Sequence, residues 1–184
     1  SNRAPENTIK VWSVNSAGLT TVGAQYALLL DAEHAGVNLV LAQETRFKDT
    51  SSYNIGKWKV LTTASAPNAK TGMAIFIGPL LQASLLSFLT TSDRIITATF
   101  ITKMGLCTII NHHHPPEGSL TVDKEAHLLA LTKIIEHHPK DALIYIIGDT
   151  NTRWHGRFPE ESDFLGPHVW GRGTAWLSNH PHQN

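Results

Sequence analysis

The chain has 184 residues, of which 41% are hydrophobic and 16% charged, a globular composition that excludes a disordered class and is large enough to bury a core. Lys and Arg together number 15, as do Asp and Glu. The resulting zero net charge argues against tight non-specific binding to a polyanion, but not against an enzyme that contacts phosphates through a metal. A single cysteine, Cys107, excludes a disulfide-stapled secreted class and is expected to be buried.

The first quarter of the chain has the pattern of a strand, a helix and a second strand. Residues 9–15 are rich in strand-forming types and end at Asn15, while residues 25–35 show helical spacing and stop at Gly36. Residues 37–43 form a short apolar run that closes on Glu44. This order predicts a βαβ unit with two neighbouring parallel strands.

The middle of the chain is predicted to be mostly strands. Residues 58–62 follow a predicted loop at 53–57, and residues 73–77 and 80–88 are separated by Gly78-Pro79. The uncharged stretch from 71 to 92 is long enough to cross a bilayer, but the Gly-Pro turn inside it favours two buried strands over a membrane span. Residues 95–101 and 106–111 predict a hairpin.

The remaining elements are a helix over 121–137 and a near-continuous apolar run at 142–147, which predicts a central strand. After Asp149 the sequence contains Gly, Pro, His and Trp without a long periodic segment. Residues 149–184 are therefore predicted to be a loop-rich tail.

Polar side chains stand at the ends of several predicted strands: Asn15, Glu44, His113 or one of its neighbours, and the pair Asp149 and Asn151. Loops at the carboxyl ends of strands converge over an α/β sheet, and oxygen ligands from one or two carboxylates are how proteins hold Mg²⁺. Taken singly, each residue also has a purely structural explanation: Glu44 could cap a turn, and Asp149 could form an Asx-turn with Asn151. Their joint order favours a metal-dependent site.

Four motifs carry a resemblance to a known family. They are Val14-Asn15, Leu41-Ala42-Gln43-Glu44-Thr45, Thr71-Gly72-Met73-Ala74-Ile75 and Ile147-Gly148-Asp149-Thr150-Asn151. Together they resemble the successive signatures of the endonuclease/exonuclease/phosphatase superfamily. Within it the chain most resembles the apurinic-type endonuclease domains of LINE-type non-LTR retrotransposons, which residues 157–173 also resemble. The resemblance implies an α/β fold, a DNase I-like two-sheet sandwich, of which this chain supplies the N-terminal half to two-thirds.

The resemblance also implies roles for individual residues. Glu44 would bind Mg²⁺ or Mn²⁺ with help from Asn15, and Asp149 would orient or deprotonate the attacking water. Asn151 would hold the scissile phosphate. The phosphate-contacting Tyr or His of the family falls in the segment from Asn111 to Pro116; strand alternation puts Asn111 and His113 on one face, which favours His113. Two alternatives for this segment are a zinc site from His112 and His114, or three solvated loop histidines.

Two departures from the family pattern matter. Thr150 stands where the family prefers an aromatic residue, and the family's closing Ser-Asp-His-like segment has no counterpart, since Asn179-His180 and His182 have no preceding Asp. Residues 1–184 are therefore interpreted as a single truncated domain in which the metal is either retained or lost. We further expect the second sheet to be mostly absent, which would leave an apolar sheet face for protein partners to cover.

Three functions remain open at this point. The first is a divalent-metal-dependent endonuclease with DNA as its partner, largely inactive as this chain alone. The second is a non-catalytic structural subunit of a larger protein assembly. The third is an enzyme of small phosphoesters or phosphoinositides, which is disfavoured because the loop at 63–70 offers only Lys70 as a basic residue. Localisation follows function: nuclear for a retrotransposon endonuclease, organellar for some complexes.

Overall fold

The computed structural model describes residues 8–151. The chain divides into two compact units, one comprising residues 1–115 and 120–150, and the other residues 116–119 and 151–184. The expectations for residues 152–184, including the loop-rich tail and the resemblance at 157–173, lie outside the described residues. The interpretation of residues 1–184 as one truncated domain stays a prediction.

The first unit contains nine strands and three helices among its described residues. In chain order they are β1 (Val11–Asn15), α1 (Val22–His34), β2 (Leu39–Gln43), β3 (Ser51–Ile55), β4 (Trp58–Thr62), β5 (Ala74–Ile77), α2 (Pro79–Gln82), β6 (Leu85–Ser92), β7 (Ile95–Thr102), β8 (Gly105–His113), α3 (Thr121–Glu136) and β9 (Leu143–Asp149).

The strands form two mixed sheets. The first has the order β1-β2-β5-β4-β3 and the second the order β6-β7-β8-β9. β1 and β2 run parallel, with Val11 opposite Leu39 and Asn15 opposite Gln43, which confirms the predicted βαβ unit. β7 and β8 form the predicted antiparallel hairpin, and β8 continues into parallel pairing with β9. The α/β two-sheet architecture is therefore confirmed.

One predicted loop is a strand. Residues 53–57 were expected to form a loop, but β3 pairs antiparallel with β4, with Ile55 opposite Trp58 across a two-residue turn. Gly56 in that turn has a φ of +55°, a conformation that L side chains rarely adopt. The Tyr53 hydroxyl donates to Gln25 Oε1 at 2.8 Å, and Ile55 is buried. These contacts hold an edge strand whose polar sequence does not predict one.

The expected strand at 80–88 is wrong in its first half. Pro79 is the first residue of the short helix α2. Proline is tolerated there because the first N–H groups of a helix have no partner within the helix. β6 begins only at Leu85. β6 is also mostly exposed, whereas we expected it to be buried. Among residues 8–151 no helix is long and apolar enough to span a membrane.

The expectation of an uncovered sheet face is wrong. The second sheet has four strands, and its inner side chains form one buried cluster with those of the first sheet. The second sheet contributes Ile96, Ala98, Phe100 and Ile109. The first contributes Leu39, Leu41, Leu61, Ile75 and Ile77, together with Met73 just before β5. Alternation along β7 and β8 puts every second side chain into this core. The apolar run at 142–147, predicted as a central strand, lies at the edge of the described part of the second sheet, and Tyr145 is 50% exposed.

A helix packs on the outer face of each sheet. α1 begins after Thr21, whose side chain accepts a hydrogen bond from the Ala24 amide at 3.3 Å. Its Leu29 and Ala32 pack on the outward residues of the first sheet, and Leu131 of α3 packs on Ile110 of the second. β2 is therefore apolar from Leu39 to Ala42 because both of its faces are buried.

Candidate active site

Glu44 lies in a tight loop directly after β2. Glu44 and Arg46 both have left-handed backbone conformations, with φ values of 52° and 57°. Such conformations are strained for these residues and persist only where neighbouring structure holds them. Here the Thr45 amide donates to the Gly72 carbonyl at 3.0 Å. The Thr45 side chain also packs directly against Gly72, where a Cβ would lie only 2.9 Å from Thr45 Oγ1. The Thr-Gly-Met motif thus acts by fixing the loop that presents Glu44.

Asn15, Glu44 and Asp149, three of the predicted strand-end residues, meet at one place. The Asn15 side-chain amide Nδ2 donates to Glu44 Oε1 and to Asp149 Oδ2, each at 3.1 Å. Parallel pairing brings the carboxyl ends of β1 and β2 to the same edge, and Asp149 ends β9 of the other sheet. One amide therefore joins carboxylates from both sheets. The expected convergence of Asn15, Glu44 and Asp149 is observed, while their chemical roles stay predictions.

The orientation of the Asn15 amide follows from its partners. Its Oδ1 accepts a hydrogen bond from the Ala17 amide at 3.2 Å, and its nitrogen faces the two carboxylates, which can only accept. In this arrangement Asn15 holds the carboxylates in place, and its oxygen is used within the loop. Asn151, another of the predicted residues, belongs to the second unit, and its placement at the site stays a prediction.

His113 reaches the same site from β8. Its ring Nε2 is 3.8 Å from Glu44 Oε1, and its side chain is 3% exposed. On the other side of the ring, Arg94 Nη1 lies 3.3 Å from His113 Nδ1 and donates to the His113 carbonyl at 3.3 Å. Burial lowers the pKa of His113, and the positive charge of Arg94 lowers it further, against the opposing effect of Asp149, Glu44 and Asp93.

The floor of the site is a buried polar bridge between the sheets. Asn111 of β8 is fully buried; its Nδ2 donates to the carbonyls of Ala42 at 3.2 Å and Ala74 at 3.0 Å, and its Oδ1 accepts from Gln43 Nε2 at 2.7 Å. Asn111 and His113 therefore share the inner face of the second sheet, as strand alternation predicted. Buried polar groups that are fully hydrogen-bonded in this way rigidify their surroundings.

The carboxylate pair suits a hard divalent cation. Mg²⁺ and Mn²⁺ need only one or two protein carboxylates, because waters and substrate oxygens fill the other positions. Glu44 and Asp149 offer two oxygen donors from opposite sheets, and the Glu44 side chain is 20% exposed and so open to solvent. Within residues 8–151 no group of three His, Cys, Asp or Glu side chains is arranged as a self-contained metal site. The residues present therefore fit an ion that is held partly by water and substrate.

His112 points away from this site, toward α3. Its Nδ1 lies 3.3 Å from His127 Nε2, and the His114 ring meets the His127 ring edge-on at a centroid distance of 5.2 Å. The zinc site considered for His112 and His114 is not supported, because the described residues hold no such three-ligand group. The interpretation as solvated loop histidines is also wrong for His112 and His113, which are buried.

The buried histidine pair predicts a loss of stability in acid. The pKa of His127 is lowered to about 4, mainly by burial and then by repulsion from the positive charges of His112, His114, Arg94 and His113. An unfolded histidine titrates near pH 6.5, so between about pH 6.5 and 4 the unfolded state binds the extra proton and stability falls as the pH falls. The expected loss across this window is on the order of 1–3 kcal/mol, because solvent screens part of the charge.

Urea unfolding of the wild type and of His127→Leu at several pH values measures this contribution. The variant should lose less free energy of unfolding between pH 7 and pH 4.5, because its side chain binds no proton in either state. Parallel stability curves for the two proteins would show that His127 does not contribute.

The sequence did not identify Arg94 or Gln43 as residues of the site. Gln43 was part of a quoted motif, but nothing in the sequence showed its contact with Asn111, 68 residues away. Arg94 directly precedes β7, and the His113 amide donates to the Arg94 carbonyl at 2.9 Å. The predicted hairpin could have indicated this pairing, since it sets residue 94 opposite residue 113.

Neither a family model nor a curated protein matches the chain by sequence. Solved structures do match by fold. The catalytic domain of Xenopus laevis APE2 superposes with a TM-score of 0.59 at 15% identity, over 79% of this chain and 59% of that one. The endonuclease domain of TRAS1, a telomere-specific non-LTR retrotransposon, gives 0.57 at 16% identity, over 95% of this chain and 72% of that one.

A third match is Danio rerio TDP2 in complex with a single-strand DNA product, with a TM-score of 0.53 at 14% identity, over 83% of this chain and 62% of that one. The chain thus spans about three-fifths to three-quarters of the length of these structures. At such identities the comparison establishes the fold. The fold these structures share with this chain is the DNase I-like two-sheet architecture that the resemblance of the sequence motifs implied.

Proposed function

We propose that this chain carries the metal-binding and phosphate-binding part of a divalent-metal-dependent phosphodiesterase that acts on nucleic acid. One observation carries the proposal: the Asn15 amide joins the carboxylates of Glu44 and Asp149, which come from different sheets. Two carboxylates so close together repel each other and cost stability unless a cation or a proton relieves them. Arg46 Nη2, 3.9 Å from Glu44 Oε2 in a partly exposed ion pair, relieves part of this repulsion, and a bound cation would relieve the rest.

The residues divide the chemistry between them. Glu44 would hold Mg²⁺ or Mn²⁺, and Asp149 would orient or deprotonate the water that attacks phosphorus. His113 would donate from Nε2 to a phosphoryl oxygen, and Asn151 would hold the scissile phosphate. The bound ion would supply charge neutralisation for the phosphate and a more acidic water. DNA is the substrate we favour, since TDP2, which shares this fold, is known in complex with a DNA product.

The first test is Mn²⁺ binding by the 184-residue chain, followed by electron paramagnetic resonance of the free ion. We expect Glu44→Gln to weaken Mn²⁺ affinity at least about tenfold, because the amide keeps the shape but loses the charge (about 1.4 kcal/mol per tenfold). Glu125→Gln, an exposed position on α3, is the matched control and should leave affinity unchanged. Mn²⁺ binding that is absent, or equal in both variants, would contradict the proposal.

Plasmid nicking is the second measurement in the same experiment. We expect little or no Mg²⁺-dependent nicking from these 184 residues alone, because residues 152–184 contain no Asp-His pair to complete the acid-base apparatus. Robust nicking that disappears in Glu44→Gln would show that the site is complete without that pair. Nicking that persists in the variant would indicate a contaminating nuclease.

A second candidate function is a non-catalytic subunit of a larger assembly. The open face of the first sheet no longer supports it, since the second sheet covers that face. Exposed apolar residues on α3 support it instead: Leu128, Leu129 and Ile135 are 53%, 54% and 40% exposed. The Mn²⁺ titration separates the two functions, because a purely structural subunit has no reason to retain Glu44-dependent metal affinity.

A further inference from the structure

Arg94 stands behind His113 on the side away from Glu44. Its guanidinium Nη1 is 3.3 Å from both His113 Nδ1 and the His113 carbonyl oxygen, and the two backbones also pair through the His113 amide. The His113 side chain is only 3% exposed, so its ring is surrounded mainly by protein groups. Both the position and the hydrogen bonding of this imidazole are therefore set by Arg94.

The chemistry of the pair fixes where the imidazole proton lies. A guanidinium has five donors and no acceptor, so His113 Nδ1 must accept from Arg94. A neutral imidazole has one donor and one acceptor nitrogen, and its proton must then be on Nε2. Nε2 is the atom that faces the site, 3.8 Å from Glu44 Oε1.

This arrangement is the opposite of a carboxylate-histidine pair. A carboxylate behind Nδ1 accepts a proton from it and stabilises the imidazolium, which lets the other nitrogen serve as a base. An arginine behind Nδ1 disfavours the imidazolium, because two cations would then be in contact in a buried place. Its Nε2, already protonated, can donate a hydrogen bond but cannot accept a proton.

We propose that Arg94 is a positioning residue that fixes His113 in the neutral Nε2–H tautomer, so that the site presents one N–H donor to an anionic phosphoryl oxygen. The second half of this statement rests on the proposed function. The tautomer itself does not, because it follows from the contacts of the free protein. The two halves can therefore fail separately.

Histidine NMR tests the tautomer directly. In a long-range ¹H–¹⁵N correlation spectrum of the metal-free chain at neutral pH, His113 should show an unprotonated Nδ1 and a protonated Nε2. His113→Gln assigns its signals among the 11 histidines. Arg94→Met, which has no donor, should give a mixture of tautomers, and Arg94→Lys, which keeps a charged donor, should restore the single form. A protonated Nδ1 in the wild type would overturn the proposal even if no variant folds.

Binding of a short single-stranded DNA oligonucleotide with Mn²⁺ tests the role. Hydrogen bonds to charged groups are strong enough that we expect Arg94→Met to weaken oligonucleotide binding at least about fivefold. If Arg94 acts through His113, the same substitution should have no further effect in a His113→Phe background. Equal losses in both backgrounds would assign Arg94 a direct phosphate contact and overturn the positioning role. Loss of Glu44-dependent Mn²⁺ binding would contradict the proposed function and leave the tautomer result standing.

Discussion

Substituting Gly148 with alanine should lower the free energy of unfolding by about 3 kcal/mol, near the upper end for overpacking. Gly148 lies opposite His112 in the parallel pairing of β8 and β9. A Cβ at Gly148 would overlap the His112 carbonyl oxygen and lie 2.9 Å from the His112 amide nitrogen. Because these are backbone atoms in a central strand, no side-chain rotation relieves the overlap, and β9 must move away from β8.

The same movement should also disturb the site. Asp149 follows Gly148 directly and accepts from Asn15 at 3.1 Å, so displacement of β9 should weaken Mn²⁺ binding as well as stability. The measurements are urea unfolding and Mn²⁺ titration of the same sample. Gly23→Ala is the matched control: it lies in α1 with nothing within 4 Å of its added Cβ. There alanine should stabilise the helix by roughly 0.5–1 kcal/mol. An unchanged unfolding midpoint for Gly148→Ala would contradict the close strand approach.

The sequence predicted which polar side chains converge better than it predicted the architecture around them. Asn15, Glu44 and Asp149 could be found because a polar residue at the end of an apolar run is costly to bury and so stands out. The helix predicted at 121–137 ends one residue earlier in the structure, at Glu136. Its bounds were predicted well because a long periodic segment is a strong sequence signal. His113 was selected over its neighbours by the alternation of a strand, which needs no tertiary information.

The elements that were missed carry little local signal. β3 is an exposed edge strand of Ser, Tyr and Asn, held by the pairing with β4 and by the Tyr53–Gln25 contact. The second sheet was underestimated because β6 is exposed along most of its length and shows no buried face of its own. The roles of Arg94 and Gly148 depend on which strand lies beside which, and a single sequence does not contain that pairing.

We also expect Asn111→Leu to destabilise the fold by about 3 kcal/mol. Asn111 is fully buried between the sheets, where its Nδ2 donates to the Ala42 and Ala74 carbonyls and its Oδ1 accepts from Gln43 at 2.7 Å. Leucine has a similar size but satisfies none of these groups. Leaving a buried donor or acceptor without its partner costs about 1–3 kcal/mol. The Ala42 and Ala74 carbonyls lose the Asn111 donor, while Gln43 Nε2 keeps Ser13 Oγ and the Leu41 carbonyl as acceptors. Asn54→Leu, at an exposed position of β3, should change stability by less than about 0.5 kcal/mol.

A double substitution separates this bridge from simple packing. If part of the cost arises from the lost hydrogen bond between Gln43 and Asn111, then Asn111→Leu should cost less in a Gln43→Leu background than in the wild type. The expected coupling is about 1 kcal/mol, within the range for residues in one hydrogen-bonded network. Urea unfolding of the four proteins in the cycle measures it. Strictly additive effects would mean that the two side chains do not stabilise each other.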